Sequence, residues 1–157
     1  MEKRKKYINR DEALVRLQRY CAYQERSHRE VRSKLIDLNI YGDDLEEIIA
    51  QLIADNFLNE ERFARAYARG KFRMKQWGRQ RIVQALKRHE VSDYSIRKAM
   101  EEIAPEDYRA TLMDVIQKKR SSSAAESDFE WQRKLAQFAI GRGFEPELVW
   151  EIVKDES

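Results

Sequence analysis

The sequence predicts an all-α protein built as three tandem three-helix repeats in an elongated, curved array. Three observations carry that expectation. Only five Gly and two Pro punctuate 157 residues, too few for many short strands and tight turns. Apolar residues recur at three- and four-residue spacings along nine segments. Helix-start residues such as Ser27, Asn59 and Ser92 stand just ahead of those segments.

The first helix is expected over 11–25, with Leu14, Leu17 and Cys21 on one face. Ser27-His28-Arg29-Glu30 has the form of a capping box, in which hydroxyl and carboxylate satisfy orphan amides reciprocally. It opens a second helix with Val31, Leu35 and Leu38 inward. Asn39 to Gly42 reads as a loop and Asp43 as the cap of a third helix, with Leu45, Ile48, Ile49, Leu52 and Ile53 inward. Asn59 caps a fourth, with Glu60 and Glu61 against the positive end of its dipole. That helix runs to about Gln76, and Gly78 breaks the chain. The fifth, Arg79 to His89, buries Ile82, Val83 and Leu86. Ser92 caps a sixth, with Ile96, Ala99 and Met100 inward. Pro105 starts a seventh that ends near Lys119. Ser121 to Ser127 is small and polar and reads as a mobile loop. Asp128 caps an eighth that ends at Gly143, and Pro146 begins a ninth, closed by Val149, Trp150 and Val153.

The second helices line up. Val31, Leu35 and Ile40 correspond to Ile82, Leu86 and Val91, and then to Leu135, Ala139 and Phe144. A repeat of about 50 residues is the mark of stacked supersecondary units. The expected division is a flexible basic arm at 1–10, then repeats at 11–57, 58–103 and 104–157.

Composition excludes several classes. The apolar runs fall far short of the roughly 20 residues a membrane span needs, and the basic start has no apolar stretch after it, as a secretory signal would. The single cysteine, Cys21, suits a reducing cytosol, so a cytoplasmic location is expected. Glycine-rich phosphate loops and cysteine pairs are absent. His28 and His89 stand 61 residues apart without companion ligands. No catalytic residue, metal or cofactor is expected. Asp43, Asp44, Glu46 and Glu47 read as caps and a solvated face, and Cys21 as a core thiol.

Charge is the informative feature. The net +3 conceals segregation: residues 1–42 carry eleven Lys/Arg against six acids, 43–61 carry seven acids and no Lys or Arg, and 62–90 carry ten Lys/Arg against Glu90 alone. Clustered cations suit phosphate, and seven of these ten are arginine, which favours bidentate contacts. On the fourth helix Arg62, Arg65, Arg69 and Arg73 fall on one side, with Phe63, Tyr67 and Met74 expected on the core side. The line of arginines rises about 16 Å, enough to track a polyanion. On the fifth, Arg81, Gln84 and Arg88 face out. Lys75, Trp77 and Arg79 surround Gly78, where open backbone amides are expected. Phe72 falls on the arginine side, where it either stacks on a base or packs against a neighbouring helix. Trp77 is expected to pack, partly buried, in the turn. The expected DNA- or filament-contacting set is Arg65, Arg69, Lys71, Arg73, Lys75, Arg79, Arg81 and Arg88.

The chain resembles the RecX family. Asp55 to Ala64, Asp-Asn-Phe-Leu-Asn-Glu-Glu-Arg-Phe-Ala, is similar to that family's acidic helix start followed by Arg-Phe-Ala. Gly78-Arg79-Gln80-Arg81-Ile82, with Leu86 and Val91, resembles its Gly-x-x-Arg-Ile…Leu…Gly-Ile segment, with Glu90 where Gly is commoner. Ser27 to Leu35, and Phe138 through Arg142-Gly143-Phe144, fit as well, so the likeness spans roughly 12–154. It implies three helical repeats and a non-catalytic modulator, usually an inhibitor, of the RecA recombinase. Such a protein binds along the RecA–DNA filament, touches protein and DNA, and affects recombination, ATPase and the SOS response. The implied partners are the RecA filament and single- or double-stranded DNA, with no membrane, and a monomer is expected. The alternative is a helix-turn-helix-like transcription regulator, which needs a base-reading helix and a symmetric dimer. A purely structural helical adaptor is a third reading.

Overall fold

A computed structural model describes residues 8–122 and 128–155. The basic stretch before Ile8, most of the polar 121–127 stretch and the Asp128 side chain lie outside the described residues. Within them the chain forms α1 (Arg10–Tyr23), α2 (His28–Asp37), α3 (Gly42–Ala54), α4 (Glu60–Lys75), α5 (Arg79–Arg88), α6 (Asp93–Met100), α7 (Pro105–Ser121), α8 (Asp128–Gly141) and α9 (Pro146–Asp155). The all-α repeat array expected from the sequence is the observed fold.

Caps set most of the helix starts. Asn9, Asn59 and Ser92 each accept an amide N–H through the side chain, from Glu12, Arg62 and Ser95 respectively. The Ser27 capping box is complete: the Glu30 N–H donates to Ser27 Oγ at 3.0 Å, and the Ser27 N–H donates to Glu30 Oε1 at 3.0 Å. Asp43 does not cap α3. The helix begins two residues earlier than that cap implies, at Gly42, so Tyr41 is the N-cap without a side-chain bond and Asp43 lies in the first turn. There its charge still opposes the dipole's positive end. Ile53 is 46% exposed instead of inward. Helix α7 continues to Ser121, two residues past the expected end, and α8 ends at Gly141, two short of it.

The second helices of the three units share one register. Val31, Leu35, Ile40, Ile82, Leu86, Val91, Leu135, Ala139 and Phe144 are all buried. Each helix ends in the same turn: Asn39, Glu90 and Gly143 take positive φ of 62°, 60° and 101°. The next amide then donates back five residues, Ile40 to Leu35, Val91 to Leu86 and Phe144 to Ala139. This is a left-handed C-cap, which glycine adopts without a Cβ clash. Glu90 holds it at a cost of about 1–2 kcal/mol, part of which glycine would return as chain entropy. Glu90→Gly is therefore expected to stabilise the fold by about 0.5–1 kcal/mol, read as a higher urea midpoint at unchanged slope.

Buried apolar side chains gather in two cores, one from α1–α3 around Leu17, Leu35, Ile48 and Leu52, the other shared by α4–α9. In the shared core Tyr108 stacks between Phe72 and Phe144, with ring centroids 6.0 and 5.1 Å away. Phe72 thus packs inward. The inner face of α4 is Phe63, Ala64, Ala68 and Phe72, while Met74 is 82% exposed and Tyr67 only half-buried. The alanines let α4 approach α6, its most extensive neighbour, where Ala99 is also fully buried. Between the two cores the joint is polar. Arg62 Nε donates to Glu25 Oε1 at 2.6 Å, Ser27 Oγ lies 3.3 Å from His89 Nδ1, and the Arg29 guanidinium donates to the Arg88 carbonyl.

Candidate nucleic-acid interface at the α4–α5 turn

Two turns from different units dock on each other here. The Gly78 N–H donates to the Arg142 carbonyl at 2.8 Å, and the Gln80 N–H to the Gly143 carbonyl at 3.0 Å. Arg142 reaches back to the Lys75 and Gln76 carbonyls. Gly78 is consequently buried and its amide is committed, so the open amides expected beside it are not there. A Cβ on Gly78 would sit 2.2 Å from the Gly143 carbonyl carbon, and one on Gly143 would sit 2.4 Å from Arg81 Cβ. Only glycines permit this approach.

Tyr108 closes the joint. Its hydroxyl accepts the Arg79 N–H at 3.0 Å, completing the α5 N-terminus, and donates to Glu145. Arg79 also pairs with Glu145 at 2.9 Å and lies over the Tyr108 ring at 3.8 Å. Burial, then the bond to Glu145, push the Tyr108 hydroxyl well above its ordinary value of 10.0. The neutral phenol is the form the fold favours, so its contribution is intact below pH 10 and is lost as pH rises beyond it. Tyr108→Phe should cost about 1–3 kcal/mol at pH 7. It should also flatten the alkaline fall in thermal stability, leaving only the smaller slope from Tyr20, Tyr67 and Cys21, whose values burial raises too.

The arginine ridge of α4 is not left free. Arg62 is taken by Glu25, Asn56 and the Phe57 carbonyl. Arg65 meets Glu61, Glu101 and Glu102 at 3.0–3.3 Å, and Arg69 meets Glu102 at 3.0 Å. Hydrogen bonds to Glu101 and then Glu102 hold the Arg65 guanidinium above its usual range. With Arg79 on Glu145, three of the eight expected contact residues are ion-paired internally. The local acid deficit concealed this because, Glu61 apart, the carboxylates come from beyond α6, 33 to 66 residues away.

The remainder divides by side of the helix. Lys71 and Arg73 are two residues apart and project differently. Lys71 lies 4.9 Å from the Trp77 ring, and Arg81 covers the same ring at 4.1 Å. Trp77 is half-buried, as expected, and it carries two cations. With Gln80, Gln84 and Arg88 it lines a groove of about 290 Å³ against the α8–α9 turn. Arg81, Gln84 and Arg88 recur at i, i+3 and i+7 on the exposed face of α5. Arg73 and Lys75 are exposed in the last turn of α4. Among the described residues Lys71, Arg73, Lys75, Arg81 and Arg88 have no carboxylate partner. Arg142, which props this surface from behind, was absent from the expected set, although its Arg-Gly-Phe signature stood out in the sequence. Cys21 is buried, and burial pushes its thiol up to about 11, the reverse of what a nucleophile needs.

Comparison with known proteins assigns this scaffold. Residues 59–100 match the family profile of the second three-helix domain of RecX, and 106–153 that of the third. A regulatory protein RecX from Herminiimonas arsenicoxydans is 31% identical over 130 residues, covering 83% of each chain. The chain belongs to the RecX family. A RecX protein from Bacillus cytotoxicus is 26% identical over 83% of this chain, which spans only 48% of that protein. The chain thus covers about half the length of the Bacillus relatives it matches. The crystal structure of RecX from Lactobacillus salivarius shares the fold, with a TM-score of 0.81 at 23% identity over 93% of this chain and 95% of that one. In this RecX-family chain the Gly-x-x-Arg-Ile and Arg-Gly-Phe signatures have a single physical meaning: they are the two halves of the docked-turn joint.

Proposed function

We propose that this chain regulates a RecA recombinase by binding the RecA–DNA filament, and that it opposes the filament's recombination, ATPase and SOS-related activities. It does so in the cytoplasm, as a monomer, by binding and not by catalysis. The observation that carries this reading is the group of unneutralised cations around Trp77, held on a rigid joint between two repeats of a RecX-family scaffold. Arg81 and Arg88 present charge at the groove that Trp77 lines, and Lys71 adds a third cation at the Trp77 ring, outside that lining. A phosphate that draws either ring-bound cation away opens the ring to a base or a partner side chain. Arg73 and Lys75 extend the charge along the end of α4. Arg65, Arg69 and Arg79 hold this surface in place through their carboxylates, and they contact phosphate only where it replaces those partners.

The test is RecA's single-strand-dependent ATPase and strand exchange with this chain added at equimolar or lower ratio. Inhibition is expected at low salt. Absence of any effect in both assays rejects the proposal, and a footprint on one specific duplex site would favour the transcription-regulator reading instead.

A further inference from the structure

The positive excess of the first unit is only partly taken up by the acidic stretch that follows it. Arg10 pairs with Glu47 and Arg32 with Glu46. Arg16, Arg19 and Lys34 have no carboxylate partner among the described residues, and all three are exposed. They surround two tyrosines. Arg16 stands one turn before Tyr20, and Arg19 one turn before Tyr23, so each pair shares a face of α1. The Arg26 guanidinium lies over the Tyr20 ring at 3.7 Å and reaches within 5.9 Å of the Tyr23 ring, and Lys34 approaches Tyr20 at 5.7 Å. Tyr23, at the end of the helix, is 83% exposed. Of the acids nearby, Glu30 serves the capping box and lies 3.9 Å from Arg26, and Glu25 is paired with Arg62. Asp11 and Glu12, in the first turn of α1, sit beside Arg16 and Arg19, and Asp37 acts on Tyr20 from the end of α2, so the cations outnumber the unpaired acids only towards Tyr23.

We infer that this face of α1 is a second nucleic-acid site, which binds a single strand by stacking an unpaired base on Tyr23 while Arg16, Arg19 and Lys34 take its phosphates. The strip from Arg16 to Tyr23 rises about 10 Å along the helix, the length of about three stacked nucleotides at 3.4 Å each. An open ring face beside clustered cations is the arrangement that holds single strands without sequence preference. A duplex offers phosphates but no free base for Tyr23. The inference rests on the nucleic-acid half of the proposed function and adds a separate surface, remote in sequence from the Trp77 groove.

The test uses the whole chain and an oligothymidine with one 5-bromouracil, irradiated and mapped by mass spectrometry. An adduct on Tyr23 is expected, none on Tyr41, which is also exposed but stands beside Asp43 and Asp44. Arg16→Glu with Arg19→Glu should remove that adduct and weaken single-strand binding about tenfold. Tyr23→Ala should weaken it several-fold, and Tyr23→Phe should retain it. A blunt duplex should compete for the Tyr23 adduct at least about tenfold less well than the single strand. If the oligonucleotide binds but yields adducts only at Trp77, or none, the second site is refuted while the Trp77 groove stands. If duplex competes equally, base stacking is refuted. If no oligonucleotide binds at any salt, the nucleic-acid reading of both surfaces falls.

Discussion

Gly143→Ala is expected to destabilise the chain by about 3–5 kcal/mol, far more than a methyl group at a surface turn ordinarily does. Gly143 has φ +101°, a region that L-residues rarely enter. The added Cβ would also meet Arg81 Cβ at 2.4 Å and Arg81 N at 2.6 Å, so relief requires backbone movement. Moving the turn breaks the hydrogen bonds from Gly78 and Gln80 that dock α5 on the third unit. For a chain of this size the thermal midpoint should fall by on the order of 10 °C. Hydrogen exchange at the Gly78 and Gln80 amides should rise more than in the α1–α3 core. Gly78→Ala, which meets backbone at 2.2–2.3 Å, should do the same. Wild-type melting of both variants would refute the docked-turn account of the two glycine signatures.

The second large effect is electrostatic and should leave stability nearly intact. Lys71→Glu, Arg81→Glu and Arg88→Glu together remove three cations that no internal carboxylate needs. Affinity for single-stranded DNA is expected to fall by on the order of 100-fold, and the salt slope by about two, at roughly 0.7 per lost phosphate contact. Inhibition of RecA should be lost with it. Arg65→Ala is the contrast. It removes a side chain tied to Glu61, Glu101 and Glu102, so it should loosen the α4–α6 contact with a small effect on DNA. If Arg65→Ala were the variant that abolished binding, the ion-paired ridge and not the Trp77 groove would be the interface.

Much of this architecture can be read from the sequence because its signals are local. Capping residues lie within three positions of what they cap, as at Ser27 and Asn59, and the repeat appears because Val31, Ile82 and Leu135 occupy the same inner position. Two kinds of information are not local. Large apolar residues drew the inner face of α4 towards Phe63, Tyr67 and Met74, whereas close packing on α6 selects Ala64 and Ala68, whose small size carries little hydrophobic signal. Charge counted along the chain also misses partners brought in by folding. Glu101 and Glu102 neutralise Arg65, and Glu145 neutralises Arg79, from 36 to 66 residues away. The basic block was therefore a true feature of the sequence and only partly a free surface. What folding adds is the joint: Gly78 and Gly143, each conspicuous alone, are one structure, and it holds Trp77 within 4.9 Å of Lys71 and 4.1 Å of Arg81.

The most direct test is a fluorescence titration of the chain and its Lys71/Arg81/Arg88 triple variant, side by side, against naked single strands and against assembled RecA filaments. The account predicts tight, salt-sensitive binding of filaments by the chain, and a triple variant that melts normally yet binds filaments at least about tenfold more weakly with a shallower salt slope. A folded triple variant with unchanged affinity and unchanged salt dependence for filaments would contradict it.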